Sequence, residues 1–355
     1  MNIYFYTKHE RMGASSRYRT LQYIENLNAN DFKFICRPLF SDQYLTEKYK
    51  SGKNPLLLTI SCYFRRLFNL IVDCRSGRIF LIEKELFPYV PYLFEFLLSV
   101  LKIRFIIDYD DAVWHNYDNS KHIIIRILLG NKHKKIINRA YGVICGNKYL
   151  ENYAVLAGQK NTIIIPTVVP KARYVPINKP TINFTIVWIG SPSTSRHLLS
   201  IKNQLREFIF LTGSTLKIIG FDKSLSNPFD FPVTFVEWSN ETEINELSDS
   251  DVGIMPLIDG PFERGKCGFK LIQYMGVGKA SIASDIGANS DIILDGETGY
   301  LVKHDSDWLL YLMQLFNDRY LCSAMGLNAR IRFENFYTLE SQTNRYIEFI
   351  SSRSF

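Results

Sequence analysis

The sequence has few of the features that mark secreted, zinc-binding or membrane-spanning proteins. Its six cysteines are scattered along 355 residues and form no CxxC pair, which argues against a zinc site and a disulfide framework. No stretch approaches the roughly 18 to 20 uninterrupted apolar residues that a membrane span needs. The N-terminus enters a strand-like run and then charges, unlike a secretory signal. We therefore expect a cytoplasmic protein with reduced thiols.

Length and charge indicate two parts with different partners. A chain of 355 residues has about two domains by the usual domain size. Residues 1–170 carry a net charge of +10, and the remainder carries −3. A basic half suits nucleic acid, anionic lipid or a phosphorylated substrate. No recognisable nucleic-acid module accompanies it, so we predict no nucleic-acid partner.

Short apolar runs alternate with longer amphipathic stretches in both halves, which is typical of parallel α/β architecture. The predicted strands are 3–7, 32–37, 78–83, 104–109, 142–146, 162–166, 184–190, 215–220, 233–238, 252–257, 280–284 and 300–302. The predicted helices are 15–28, 55–75, 89–101, 120–139, 147–157, 194–211, 266–276 and 305–334, with a final helix after Thr338. This alternation of strands and helices in both halves predicts an α/β fold of two Rossmann-like lobes.

The proline-rich segment 166–180 separates the two lobes as a linker. We predict an N-terminal lobe over 1–170, a C-terminal lobe over 171–337 and a terminal helix over 338–355. Thr338 can cap that helix, and its apolar side, formed by Leu339, Tyr346, Ile347 and Ile350, must pack on something. We expect it to return to the first lobe.

The turn after the first strand, GASSRYR (13–19), faces the ligand crevice of a doubly wound lobe. Gly13 permits close backbone approach, Ser15 or Ser16 can cap the next helix, and that helix start favours an anion. Arg17 and Arg19 add positive charge. The sequence lacks GxGxxG, so a dinucleotide fingerprint is absent. The alternative is a capped surface helix with two solvated arginines.

The corresponding turn of the second lobe is WIGSPSTSRHL (188–198). Gly190 and Ser191 begin a tight strand-to-helix loop whose backbone amides can cradle a phosphate, with Arg196 or His197 nearby. An ordinary capped loop is the alternative interpretation of this segment.

The richest segment is 263–302, where a glycine-flanked loop opens the predicted helix 266–276. Lys266 and Lys270 lie four residues apart, so both ammonium groups project beside the helix start and suit a diphosphate. Gln273, one turn later, can hydrogen-bond a diol such as ribose, and Glu263 can accept from sugar hydroxyls. A surface helix with solvated lysines is the alternative.

A carboxylate cluster follows another strand of the first lobe, in IIDYDDAVWHNYDN (106–119). Asp108, Asp110, Asp111 and His115 gather where an acceptor hydroxyl can be oriented or deprotonated. A loop of capping aspartates is the alternative. Clustered carboxylates alone do not make a metal site, so we predict no metal.

Aromatic and basic side chains interleave at 62–71 and along 86–98. This pattern suits interfacial binding to an anionic membrane surface. Core packing is the alternative, and it is the more common role of apolar stripes.

These segments together resemble a glycosyltransferase of the GT-B fold, most closely the retaining family 4, also called group 1. The resemblance is sharpest at 263–302, which ends in Asp295, Gly296, Gly299, Leu301 and Val302 and so resembles the family's Asp-Gly-x-x-Gly-Leu-Val ending, with Tyr300 before Leu301. PTVVP (166–170) and the final helix also resemble the family's interlobe segment and crossing helix. Gln273 stands where the second glutamate of the Glu-x7-Glu motif binds ribose. The first glutamate's place is Gly265, and Glu263 lies two residues away.

The resemblance implies a metal-independent, cofactor-free retaining hexosyltransferase, with a nucleotide diphosphate-sugar as donor and a glycan or lipid-linked acceptor. Polysaccharide or lipopolysaccharide assembly at the inner face of the membrane fits this interpretation. It implies same-face attack, with the leaving phosphate taking the acceptor proton and lobe closure excluding water. The expected catalytic residues are Glu263, Lys270 and Asp110. The expected donor-binding residues are Gly13, Gly190, Ser191, Arg196, Trp238, Lys266, Gly268, Phe269 and Gln273. The expected acceptor-side residues are Ser15, Arg17, Arg19, Asp111 and His115.

Two other functions stay open at this point. A nucleotide-sugar epimerase can use the same two-lobe scaffold and needs no acceptor. The family's Gly-Arg…Lys phosphate clamp is present only as Gly190–Ser191, without the arginine in that place. A non-catalytic partner subunit that retains nucleotide affinity fits this missing arginine and the displaced first glutamate.

Overall fold

The structure is a computed structural model that describes residues 2–27, 33–75, 77–177, 183–222 and 224–352. The chain forms two compact units. The first unit runs to Thr167 and also includes the end of the chain from Thr343, and the second spans Val168–Gln342. The last helix therefore begins in one unit and ends in the other. None of the described helices is long and apolar enough to cross a bilayer.

A parallel six-stranded sheet forms the middle of the first unit, in the order β2-β1-β3-β4-β5-β6. Its strands are β1 (Asn2–Tyr6), β2 (Lys33–Cys36), β3 (Ile79–Glu83), β4 (Arg104–Tyr109), β5 (Gly142–Cys145) and β6 (Thr162–Ile164). The four inner strands are almost wholly buried, whereas the edge strands β2 and β6 are not. Continuous apolar runs are what a parallel strand covered on both faces requires.

The helices of the first unit connect these strands. They are α1 (Ala14–Ser16), α2 (Gln22–Leu27), α3 (Asp42–Ser51), α4 (Leu56–Asp73), α5 (Leu93–Val100), α6 (His115–Asp118), α7 (Ile123–Leu129), α8 (Lys132–Arg139) and α9 (Lys148–Leu156). A π-helical turn, Arg17–Leu21, joins α1 to α2. The sequence patterns missed α3, which is polar along most of its length and is capped by Ser41. They also predicted one helix over 120–139, where the chain breaks between α7 and α8 at Gly130.

The second unit repeats the architecture, with a parallel sheet in the order β12-β11-β10-β7-β8-β9. Its strands are β7 (Thr185–Ile189), β8 (Thr215–Ile219), β9 (Val233–Val236), β10 (Val252–Met255), β11 (Ala280–Ser284) and β12 (Gly299–Val302). Its helices are α10 (Ser195–Leu199), α11 (Lys202–Thr212), α12 (Glu243–Ser248), α13 (Pro261–Arg264), α14 (Phe269–Gly276), α15 (Asn289–Ile292), α16 (Asp305–Asn317) and α17 (Arg319–Phe336), with a 3-10 turn at Pro192–Thr194. Trp188, Leu216, Ile254 and Leu312 lie in its core.

The final helix, α18 (Leu339–Ser351), is capped as the sequence predicts, because Thr338 Oγ1 accepts a hydrogen bond of 3.1 Å from Ser341 N–H. Its apolar side is buried at Leu339, Tyr346 and Ile350. Within the first unit the Tyr346 ring stacks on Tyr23, with 4.0 Å between ring centroids. Part of the predicted linker, 178–180, lies outside the described residues.

Candidate functional site

In the second unit, charged side chains collect where β7 and β10 end, at the carboxyl edge of the sheet. The loop after β7 leads into α10, which carries Arg196 and His197. The segment after β10 leads through α13, which carries Glu263, to α14. The carboxyl edge of a parallel sheet is where ligands bind in doubly wound folds. This edge is therefore the first candidate site.

Four basic side chains lie close enough here for their charges to act on one another, and we call Arg196, His197, Lys266 and Lys270 the cationic cluster. Arg196 Nη2 donates to Glu263 Oε1 at 2.5 Å, and His197 Nε2 lies 3.8 Å from the same oxygen. Burial, followed by the charges of Arg196 and Lys266, lowers the pKa of His197 to about 4. His197 is therefore neutral at pH 7, and the remaining cations outnumber the single carboxylate.

Lys270 is the member of the cluster best suited to an incoming anion. Its ammonium lies 4.2 Å from the centre of the Trp188 ring. Burial and then the charge of Lys266 lower the pKa of Lys270 to about 7. No carboxylate in the described part of the chain forms an ion pair with it. A partly buried cation without a counter-ion gains from a bound anion, since the anion offsets both the desolvation and the repulsion.

Lys266 lies in the loop before α14, contrary to the predicted helix 266–276. The helix begins at Phe269 because Gly268 has a φ of 63° at the preceding position. This left-handed backbone favours glycine, and a Cβ there would lie 2.2 Å from Ile292 Cδ1, so the Ile292 side chain would have to move. The two lysines are therefore not on successive turns of one helix. They are still close enough for Lys266 to lower the pKa of Lys270.

Gln273 takes part in a buried hydrogen-bonded chain. Its amide Nε2 donates to Tyr174 Oη at 3.2 Å, and Tyr174 in turn donates to Glu243. Trp238 Nε1 donates to the other oxygen of Glu243 at 2.6 Å, and the Trp238 ring is 42% exposed. Gln273 Oε1 has no hydrogen-bond partner among the described residues. The hydrogen bond from Nε2 to Tyr174 thus orients the Gln273 amide, and Oε1 can accept a hydrogen bond from a ligand.

The loop after β7 is tight but does not leave its first amides for a ligand. Gly190 N–H donates to Ile219 O at 3.0 Å, and Ser191 N–H donates to Thr194 Oγ1 at 3.1 Å. A Cβ on Gly190 would lie 2.3 Å from Trp188, so this glycine serves packing. The expectation that these two amides cradle a phosphate is therefore not met, because both are used within the protein.

In the first unit the corresponding edge of the sheet is organised by Lys84. This residue follows β3 directly and has a φ of 65°. Its ammonium lies 2.7 Å from Asp110 Oδ1 and 3.6 Å from Asp111 Oδ2, and it donates to Ser15 Oγ at 3.3 Å. Burial favours the neutral acid of Asp110, but the charge of Lys84 and its hydrogen bond outweigh burial and lower the pKa of Asp110. Such a carboxylate orients a hydroxyl better than it removes a proton.

The other expected residues of the first unit have different surroundings. Arg19 is 2% exposed and forms a two-pronged ion pair with Asp108, with N–O distances of 2.6 and 3.1 Å. Its charge is held in the interior, so it does not serve as an exposed acceptor-side cation. Arg17 is partly buried beside the Tyr18 ring. A Cβ on Gly13 would lie 2.4 Å from His9 Cβ.

His115 is held by another set of contacts. Its Nδ1 lies 3.0 Å from Asp118 Oδ1, and its Nε2 lies 3.1 Å from Tyr149 Oη. The structure therefore brings Ser15, Asp110 and Asp111 together around Lys84, while His115 belongs to the start of α6.

Sequence reasoning missed four residues of these sites: Lys84, Trp188, Tyr174 and Glu243. Lys84 had a usable signal, since it directly follows a predicted strand whose carboxyl end faces the ligand crevice. Trp188 is within a strand and Tyr174 within the predicted linker, so neither has a local pattern that points to Lys270 or Gln273. Glu243 is an acid near a helix start, which is the commonest place for a helical acid.

The two parallel sheets define the GT-B glycosyltransferase fold. The chain is similar in structure to sucrose-phosphate synthase from Thermosynechococcus elongatus, with 16% identity and a TM-score of 0.71 over 98% of this chain and 97% of that one. It is similar to Anabaena HepE in complex with UDP and glucose, with 12% identity and a TM-score of 0.73 over 99% of both chains. A glycosyltransferase from Rickettsia africae is also similar, with 14% identity and a TM-score of 0.70 over 99% of both chains.

Residues 160–318 match the family model of glycosyl transferases group 1. No curated protein matches the chain by sequence. The segment that carries the cationic cluster thus matches a glycosyl transferases group 1 domain, on a chain with the GT-B fold. The resemblance predicted from 263–302 is confirmed.

Proposed function

We propose that the protein transfers a sugar from a nucleotide diphosphate-sugar, held by the second unit, to a glycan or lipid-linked acceptor. The observation that carries this proposal is Lys270, a partly buried ammonium whose pKa is lowered to about 7 and which has no carboxylate partner among the described residues. A diphosphate supplies the missing negative charge. The Anabaena HepE structures in complex with UDP and with UDP-glucose, on the same fold, support this choice of ligand class.

In this proposal the cationic cluster stabilises the departing diphosphate. As the bond from the sugar to phosphate breaks, negative charge grows on the phosphate oxygens, and Lys270, Lys266 and Arg196 are placed to stabilise it. Glu263 keeps Arg196 oriented through their 2.5 Å hydrogen bond and can accept from a sugar hydroxyl. Gln273 Oε1 would accept from ribose, and the exposed Trp238 ring would pack near the base.

The acceptor would bind on the first unit at the edge organised by Lys84. Asp110 and Asp111 would orient the attacking hydroxyl, and the leaving phosphate would take its proton. Attack from the same face as the leaving group retains the anomeric configuration and needs no protein nucleophile. No step in this proposal calls for a metal. The proposed setting is polysaccharide assembly at the cell envelope.

The first experiment identifies the donor. A thermal-shift panel of UDP, GDP, ADP, CMP and dTDP sugars reports binding, because a ligand bound only by the native state raises its stability. The nucleotide-sugar that binds is then prepared with a radiolabelled sugar and incubated with the protein and a lipid extract that supplies the acceptor. We expect the wild type to transfer labelled sugar to the lipid extract and Lys270→Met to lose most of this transfer. The control Lys303→Met, at an exposed lysine of the same unit, should keep wild-type activity.

Other outcomes of this experiment would overturn the proposal. Isomerisation of the nucleotide-sugar without acceptor, followed by NMR, would indicate an epimerase. Binding without turnover that is restored by a second protein would indicate a partner subunit. Full activity of Lys270→Met would remove Lys270 from the mechanism, and with it the observation that carries the proposal.

A further inference from the structure

Helix α4 of the first unit turns its apolar side to solvent. Leu57, Phe64, Phe68 and Ile71 are each at least two-thirds exposed, with values of 84%, 68%, 67% and 67%. Their spacing places them along one side of an α-helix. The opposite side is buried at Cys62, Arg66, Leu70 and Asp73. This is the reverse of an ordinary surface helix, whose apolar stripe faces the core.

The buried polar groups fix this orientation. Arg66 is 1% exposed and donates to the backbone carbonyls of Thr7 and Arg37, the latter at 3.0 Å. Asp73, also 1% exposed, accepts from Tyr6 Oη at 3.1 Å and pairs with Arg37 at 2.8 Å. Rotating α4 to bury its apolar stripe would leave both charges without these partners. Exposure of the stripe is therefore imposed by the packing of the unit.

The stripe continues onto neighbouring helices on the same face of the sheet. Tyr6 is in register with Ile82, and Ile82 with Ile107, so their side chains and that of Tyr109 lie on one face. Tyr6 contacts α4, and Tyr109 contacts α8 through His133 at 2.7 Å. Helix α5 packs beside α8, and α7 precedes α8 in the same connection. The exposed apolar residues on α5 and α7 are Leu93, Leu97, Val100, Ile123, Ile124, Ile127 and Leu128.

All exposed charges on these segments are positive. The only acidic residues within 52–73, 86–103 and 119–140 are Asp73 and Glu95, and each is 1% exposed. The exposed basic residues are Lys53, Arg65, Lys102, Lys121, Arg126, Lys134, Lys135 and Arg139. We call the outer side of α4, α5, α7 and α8, with these charges, the apolar-basic face.

We propose that the apolar-basic face docks on an anionic lipid bilayer. Apolar side chains enter the boundary between headgroups and acyl chains, while lysine and arginine extend to anionic headgroups. A second copy of this face would bring like charges together, which disfavours self-association. An anionic bilayer can bury the apolar side chains of this face and also attract its basic side chains. The inference goes beyond the proposed sugar transfer and does not depend on it.

The test is co-sedimentation of the full chain with vesicles, without donor or acceptor. One set contains phosphatidylcholine alone, and the other mixes phosphatidylcholine with phosphatidylglycerol. We expect strong binding only to the mixed vesicles and weaker binding at high salt, since salt screens the attraction. Because no sugar chemistry is measured, failure here is distinct from failure of the proposed function.

Three double variants locate the surface. Phe64→Glu with Phe68→Glu is expected to reduce binding by at least about tenfold. Lys121→Gln with Lys134→Gln is expected to reduce vesicle binding about 25-fold, since each basic residue near an anionic surface contributes roughly fivefold. The matched control is Phe210→Glu with Leu211→Glu, which are 63% and 64% exposed on α11 of the second unit, and it should bind like the wild type.

Three results would overturn the inference. The first is no sedimentation with mixed vesicles at low salt, measured on protein with the wild-type unfolding transition. The second is an equal loss in the Phe210 and Leu211 control. The third is a concentration-dependent dimer in sedimentation velocity that Phe64→Glu with Phe68→Glu dissociates while no vesicle binding occurs, because a second copy would then be the occupant.

Discussion

The sharpest prediction concerns the pH dependence of donor binding. The pKa of Lys270 is lowered to about 7 in the free protein by burial and by Lys266. A bound diphosphate requires the protonated lysine and raises its pKa, so binding takes up a proton. The phosphates of a nucleotide diphosphate-sugar are ionised throughout neutral pH and do not add a titration of their own. Donor affinity should therefore fall as pH rises through 7.

The magnitude follows from the protonated fraction. With a pKa near 7, Lys270 is about three-quarters protonated at pH 6.5 and only about 3% protonated at pH 8.5. Donor affinity should therefore decrease about twentyfold across that range, which titration calorimetry at fixed ionic strength can measure. The lowered pKa also means that, without ligand, the unfolded chain binds more protons than the native state above pH 7. The Lys270 contribution to stability should then rise with pH from about 7 upward.

A matched variant isolates this effect. Arginine stays protonated at every pH in the range, so Lys270→Arg should bind the donor with a nearly flat pH profile. Lys270→Met should bind weakly and also show a flat profile. The reasoning is refuted if the wild type is flat between pH 6.5 and 8.5, or if Lys270→Met retains the wild-type slope.

Two further predictions concern the residues that build the sites. Arg19→Ala should lower the free energy of unfolding by about 3–5 kcal/mol, because it leaves Asp108 buried without a partner. The control Arg11→Ala removes an exposed ion pair and should lower it by less than about 1 kcal/mol. Similar losses for the two variants in chemical denaturation would contradict a buried structural role for Arg19. Gly268→Ala should both destabilise the protein and weaken donor binding, because a Cβ clashes there, while Gly213→Ala, at a similar φ of 67° with nothing within 4 Å, should leave donor affinity unchanged in calorimetry.

Much of the fold could be predicted because parallel strands buried on both faces leave a plain signal. The runs at 104–109 and 280–284 match β4 and β11 at both ends. Helix α3 was missed because its sequence, DQYLTEKYKS, has little apolar periodicity. Helix α14 was predicted to begin too early because the left-handed conformation of Gly268 is not readable from composition.

The candidate sites were only partly predictable, because the residues that contact the predicted site residues come from distant parts of the chain. Lys270 and Gln273 were identified from the 263–302 segment, but their partners Trp188 and Tyr174 lie 82 and 99 residues earlier in the chain. Arg19 looked like an exposed cation beside a glycine turn. Only the fold shows that the guanidinium of Arg19 forms an ion pair with Asp108 on β4.

In the proposed function, Lys270 of the second unit is a poorly solvated cation that binds a diphosphate. The direct measurement is a pH titration of the Lys270 ammonium by NMR on lysine labelled at Nζ, assigned with Lys270→Arg, with and without the donor found in the thermal-shift panel. We expect a Lys270 pKa of about 7 in the free protein and a clear rise of this pKa when the donor is bound. A pKa near that of an exposed lysine, unchanged by the donor, would contradict this role of Lys270.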